Sequence, residues 1–185
     1  MSRLGKHTEL IERELRSQLL ERILRQTPGF FEGLVVTLLS QMGYGSSAAL
    51  AQAVGRVGDG GIDGIIHQDK LGLDVVYIQA KRYGANTTVG RPELQAFIGA
   101  LLGVAAQKGV FVTTSRFTSG AIDYVKSVPH RIVLVDGERL VELMIAHRVG
   151  VKTARIFEIR RIDEDFFVGR EEKKKGARRR NRPNW

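Results

Sequence analysis

Two stretches decide how this chain folds: Gly60-Gly61-Ile62-Asp63-Gly64 and Asp74-Val75-Val76-Tyr77-Ile78-Gln79-Ala80-Lys81-Arg82. The second is a run of β-branched and aromatic residues bounded by turn signals, so it reads as a strand. Alternation puts Val75, Tyr77, Gln79 and Lys81 on one face and Val76, Ile78 and Ala80 on the other. Ile62–His67 reads as the preceding strand of a hairpin whose tip includes Asp69-Lys70-Leu71-Gly72. Closing the hairpin near Leu71 sets Asp63 opposite Gln79, to within a residue or two, with Lys81 beside it. Asp59 reads as a turn residue, whereas Asp63 lies inside a strand, where Asp is disfavoured.

Working outward, Ala48–Val54 reads as a further strand of this meander. Arg91-Pro92-Glu93 opens a helix carrying Leu94, Phe97, Ile98, Leu101 and Leu102. Gly109–Thr114 is an apolar run suited to a strand covered on both faces. A helix near Ser119–Ser127, a strand Ile132–Val135 and a helix Glu138–Arg148 follow, with an edge strand expected at Ile156–Ile162. On the N-terminal side, Ile11, Leu15, Leu19 and Ile23 mark a surface helix over Thr8–Arg25. Thr27-Pro28 then caps a more apolar helix running to Met42. Helices, an antiparallel meander and then alternating helix and strand give an α/β chain with a central mixed sheet flanked by helices.

Composition excludes several function classes. The 185 residues contain no Cys, which removes disulfide scaffolds, thiolate zinc sites and cysteine nucleophiles. No apolar run is long enough for a membrane span and no signal-peptide pattern opens the chain, so a cytoplasmic, soluble protein is expected. His7, His67, His130 and His147 lack ligand spacing. Gly43-Tyr44-Gly45-Ser46-Ser47-Ala48 imitates a dinucleotide fingerprint, but it follows a helix instead of a strand. The net charge of +9 is uneven: Gly169–Trp185 holds eight basic and two acidic residues, a net of +6, leaving +3 for residues 1–168. That tail is a polyanion-binding arm or simply a solubilising end.

The chemistry therefore has to come from polar residues in apolar surroundings. Glu32 is the only charged residue between Arg25 and Arg56, at the margin of a buried helical stripe. It is either a helix-N-terminal acid that favours the macrodipole or a functional carboxylate. Asp63, the Gln79 amide carbonyl and the Ala80 backbone carbonyl make a hard oxygen site of the kind Mg²⁺ prefers, with Mn²⁺ as a substitute. Lys81 can stabilise charge developing on a phosphoryl group, and Glu32 can hold a water or complete a second metal position. In-line attack on a phosphodiester is the reaction these groups suit. Arg82, Arg91, Lys108 and Arg116 are candidate DNA contacts, and Glu93 and Gln95 candidates to line the same cleft.

Glu32 within a helix, Gly60-Gly61-Ile62-Asp63-Gly64, Gln79-Ala80-Lys81-Arg82-Tyr83 and Val112-Thr113-Thr114-Ser115 together resemble the catalytic domain of Mrr-type restriction endonucleases. That family is a branch of the PD-(D/E)XK nucleases in which Gln commonly replaces the second acidic residue. The resemblance runs from about Phe30 to Arg148, and Asp163-Glu164-Asp165-Phe166-Phe167 is similar to the family's usual close. It implies a restriction-endonuclease-like core, Mg²⁺-dependent DNA cleavage, Asp63, Gln79 and Lys81 as the central triad, and Glu32 assisting. Expected divisions are a helical extension over 1–29, the catalytic domain over 30–168 and a basic tail over 169–185. The family's DNA-reading winged-helix domain has no visible counterpart here, so two expectations stand: a stand-alone nuclease, or an isolated catalytic part whose DNA-reading domain or partner lies elsewhere. A homodimer fits a need to cut both strands. Two other readings remain: a DNA-binding module that has kept the nuclease fold without turnover, and a resolvase of branched DNA.

Overall fold

The computed structural model describes residues 3–45, 51–53, 61–69, 71–156, 158 and 160–167. It begins with α1 (Arg3–Leu24) and α2 (Pro28–Gln41). Thr27 caps α2: its Oγ1 accepts the Phe30 N–H at 3.2 Å, and Pro28 supplies the first-turn φ.

The strands β1 (Ala51–Ala53), β2 (Gly64–His67) and β3 (Val75–Lys81) then form an antiparallel meander. After β3 the chain becomes a parallel α/β unit: α3 (Arg91–Gly103), β5 (Lys108–Thr113), α4 (Ser119–Ser127), β7 (Arg131–Val135) and α5 (Gly137–Ala146). Two of its helices start on side-chain caps, Thr118 for α4 and Asp136 for α5. The five-stranded sheet runs β1-β2-β3-β5-β7, antiparallel up to β3 and parallel from β3 onward. The expected mixed sheet flanked by helices is what the chain forms.

Strand alternation sorts the core into two layers, one on each face. Ile66, Ile78, Ala80, Val112 and Val135 pack with Leu19 and Ile23 of α1, with α2 and with Leu140, Val141 and Met144 of α5. Phe111 packs on the other face with Leu94, Phe97 and Leu101 of α3 and Ala121 of α4. The odd-numbered positions of β3 point away from the first layer, which is how Gln79 and Lys81 come to share a face.

Several local expectations change. Beyond Ala51–Ala53, the stretch expected as the first strand lies outside the described residues, as does Asp59. Asp63 sits one residue before β2, yet its N–H donates to the Ile78 carbonyl at 2.8 Å and continues the ladder. A second, two-stranded sheet, unforeseen, pairs β4 (Thr88–Val89) with β6 (Arg116–Phe117). At the hairpin tip the Asp69 carboxylate accepts the N–H groups of Leu71, Leu73 and Asp74.

The chain divides into two compact units, Met1–Lys152 and Thr153–Trp185. In the second, the edge strand expected over Ile156–Ile162 is absent among the described residues, and only α6 (Glu164–Phe167) is regular. Among the described residues of this stretch, Ile156 and Ile162 are both exposed, with the exposed charged residues Arg155, Glu158, Arg160 and Arg161 around them. Among the described residues no helix is long and apolar enough to cross a membrane.

Candidate active site

Asp63 and β3 are joined by the site itself. The register Gly64↔Ile78 places Asp63 across from Gln79, and Asp63 Oδ2 accepts the Ala80 N–H at 2.8 Å. Burial pushes the Asp63 carboxyl above the usual carboxylate range, opposed by that Ala80 bond and by the charge of Lys81. Glu32, half-buried on α2, is raised by burial first and then by the negative charge of Asp63, while Lys81 lowers it. The three charged groups therefore feel one another. Lys81 makes no close ion pair among the described residues; it acts on both carboxylates from a longer range.

Gln79 is 4 % exposed, and among the described residues its buried Oε1 has no hydrogen-bond partner. A buried acceptor left unpaired costs free energy, so such an atom is a sign of a missing partner. Its amide is held against Gly61, whose φ is +96°: a Cβ there would lie 2.4 Å from Gln79 Nε2. Only glycine meets both conditions. The room that the missing Cβ of Gly61 leaves is taken by the side chain of Gln79.

The donor set suits a small hard cation. Asp63 offers a carboxylate whose Oδ1 is not used by the Ala80 bond, Gln79 offers an orphaned amide oxygen, and the Ala80 backbone lies alongside. Mg²⁺, which takes few protein oxygen ligands and keeps several waters, fits a set of this kind.

The candidate DNA contacts fall in different places. Arg82 follows Lys81 directly, but its Nη1 donates to the Leu24 carbonyl at the end of α1 at 2.7 Å. Lys108 pairs with Asp74 at 2.7 Å, at the opposite end of β3 from Lys81, roughly 16 Å along the strand. Neither is presented at the site. Arg91 lies over the Tyr124 ring at 4.9 Å. Arg116 is exposed and lines a cavity of 620 Å³ with Arg13, Arg16, Thr114 and Ser115; Glu32, Asp63, Gln79 and Lys81 do not line it. Glu93 accepts the Gly90 N–H at 3.1 Å and so serves the start of α3, while Gln95 is exposed.

One group of residues had no role assigned from sequence. Thr113, Thr114 and Ser115, where β5 ends, are 0, 3 and 5 % exposed and fully engaged in hydrogen bonds. The available signal was three consecutive hydroxyl residues closing the most apolar strand.

Comparison with known proteins identifies the family. The family model for the Mrr catalytic domain, described as "Restriction endonuclease", matches residues 23–144. The Type IV methyl-directed restriction enzyme EcoKMrr of Escherichia coli (strain K12) is 53% identical over 150 residues, which is 81% of this chain and 48% of that protein. The chain thus spans about half the length of this curated relative. Among solved structures, the DNA modification-dependent restriction endonuclease AspBHI aligns with a TM-score of 0.58 and 25% identity, over 75% of this chain and 35% of that one. MspJI restriction endonuclease, solved with a 27-mer oligonucleotide, aligns at 0.52 and 21% identity over 70% of this chain and 31% of that one, a likeness of fold. The chain belongs to the Mrr catalytic family of restriction endonucleases.

Proposed function

We propose that this chain hydrolyses DNA phosphodiester bonds in a Mg²⁺-dependent reaction, with Asp63, Gln79 and Lys81 as its working groups and Glu32 assisting. The observation that carries the reading is the buried, unpartnered Gln79 Oε1 on the same face as Lys81 and opposite Asp63. Asp63, Gln79 and the Ala80 carbonyl would hold the ion. When bound, Mg²⁺ supplies charge against the phosphoryl oxygens and lowers the pKa of the attacking water.

The chain's own groups do the rest. The Ala80 N–H fixes one oxygen of the Asp63 carboxylate and leaves the other outside that bond. Lys81, free of any close ion pair among the described residues, brings a positive charge to the scissile phosphate and offsets charge building up there. Glu32, whose raised affinity for a proton comes from burial beside Asp63, orders water at the margin of the site and can take up its proton.

EcoKMrr is by name methyl-directed and AspBHI modification-dependent. By analogy we assign modified DNA as the substrate class. The four site residues address a phosphate and an ion, neither of which carries base identity. Selectivity for modified bases is accordingly placed in another part of a longer protein or in a partner. A dimer would bring two such sites to the two strands.

The test is plasmid DNA, methylated and unmethylated, with Mg²⁺ or EDTA, alongside Lys81→Ala. Nicking or cutting by the wild type with Mg²⁺ alone is expected. The reading is lost if wild type and Lys81→Ala leave every substrate equally intact. A branched-DNA arm in the same series separates a resolvase, and binding without cleavage identifies a non-catalytic module.

A further inference from the structure

We infer that Thr113 is a positioning residue for Lys81, a role that rests on the nuclease reading above. Strands β3 and β5 pair in parallel up to Lys81↔Thr113 and then part. The next backbone donor, the Thr114 N–H, reaches the Lys81 carbonyl only at 3.4 Å, the far limit of a hydrogen bond. The Lys81 carbonyl is instead taken by Thr113 Oγ1, which donates to it at 2.8 Å. The same oxygen accepts the Ser115 N–H at 3.1 Å, so the direction of the hydroxyl is settled from both sides.

The neighbouring hydroxyls extend this arrangement. Thr114 Oγ1 accepts the Tyr83 N–H at 2.9 Å and donates to the Tyr83 carbonyl at 2.8 Å. Ser115 Oγ donates to the Thr87 carbonyl. Three buried hydroxyls in a row are costly unless all are bonded, and here all are bonded to the segment that leaves Lys81 or to one another's backbone. Side-chain hydroxyls thus take over from the ladder at the residue that carries the catalytic ammonium.

Packing alone does not explain Thr at 113. The run Val110-Phe111-Val112 would be continued as well by Val, which is β-branched and isosteric with Thr. What Thr adds is the hydroxyl, and the hydroxyl goes to Lys81. Thr113 touches neither phosphate nor ion; it sets where the Lys81 backbone stops, and so where the ammonium stands relative to Asp63 and Glu32.

The full 185-residue chain is compared as wild type, Thr113→Val, Thr113→Ser and Val135→Ala. Thr113→Val is expected to lower kcat for plasmid nicking by about 10- to 100-fold with KM unchanged, the scale of a displaced catalytic group. Thr113→Ser should recover to within about threefold of wild type. Val135→Ala, which loses core volume in β7, two strands over from Lys81, and removes no hydrogen bond to it, should lower Tm and keep kcat. A second reading needs no turnover: in protein labelled at lysine Cε, the Lys81 signal, identified by its loss in Lys81→Ala, should move in Thr113→Val and stay in Thr113→Ser. Thr113→Ala is read the same way if Thr113→Val does not fold. The role is overturned if Thr113→Val leaves kcat and the Lys81 signal unchanged, or if Thr113→Ser is as impaired as Thr113→Val. Wild type that leaves DNA intact with Mg²⁺ sinks the nuclease reading, and the Lys81 signal then decides the placement by itself.

Discussion

The Asp63 carboxylate holds the Ala80 N–H at 2.8 Å, so the acid that opens one strand of the meander is fastened to the strand carrying Gln79 and Lys81. The site is built from the sheet's own hydrogen-bonding groups, and its geometry is as rigid as the sheet. It is also electrostatically costly, because burial raises both Asp63 and Glu32.

That cost makes stability depend on pH. Both carboxyls bind their protons more tightly in the folded chain than in the unfolded one. The stability they contribute is full below about pH 4, the ordinary carboxylate range, and is lost as pH rises through their raised values. Asp63→Asn keeps an acceptor for the Ala80 N–H and removes the charge. Thermal unfolding should show it more stable than wild type near pH 7 by a few degrees, with the difference shrinking toward pH 4. A gap that widens on acidification contradicts the burial of this charge. Cleavage should be abolished at every pH.

Metal binding gives a separate prediction from the same residues. Mg²⁺ bound to the folded chain only would raise Tm with concentration. The rise is expected in wild type and in Lys81→Ala, and should be lost or much reduced in Asp63→Asn and Gln79→Ala. If Gln79→Ala responds to Mg²⁺ as wild type does, Gln79 Oε1 is not a ligand.

Much of this was legible in the sequence because the signals were local. Period-two alternation in Val75–Lys81 put Gln79 and Lys81 on one face, and hairpin closure set Asp63 across from Gln79. The capped start of α2 follows from Thr27-Pro28. What the sequence did not show depended on contacts distant in sequence. Arg82 reads as a phosphate contact until Leu24, 58 residues earlier, proves to hold it. Lys108 reads the same way until the sheet places it beside Asp74 at the wrong end. The pairing of β4 with β6 joins two-residue segments too short for any periodic signal.

Arg82 should accordingly behave as a structural residue. Its bond to the Leu24 carbonyl is charge-assisted and partly buried, a class worth about 1.5–3 kcal/mol. Arg82→Ala is expected to lower Tm by several degrees while leaving the salt dependence of DNA affinity unchanged. Removing Gly169–Trp185, with its eight basic residues, should instead flatten that dependence and leave Tm and the Mg²⁺ response as they were. A drop of about one in the salt slope for Arg82→Ala would return Arg82 to the phosphate contacts.

Gly61 offers the sharpest separation of backbone from chemistry. Its φ of +96° is strained for any other residue, and a methyl group there meets the Gln79 amide nitrogen. The backbone cost alone is of order 1–3 kcal/mol. The collision adds a second effect, because Gln79 is enclosed and has nowhere to turn without moving Oε1. Gly61→Ala should therefore lose both stability and Mg²⁺ response, and its cleavage defect should persist at temperatures where it is fully folded. Pairing it with Gln79→Ala tests this directly: with the amide gone the collision goes, so the double variant should be more stable than additivity of the two single changes allows. Strict additivity would mean that Gly61 serves the turn alone and that the position of Gln79 is set by something else.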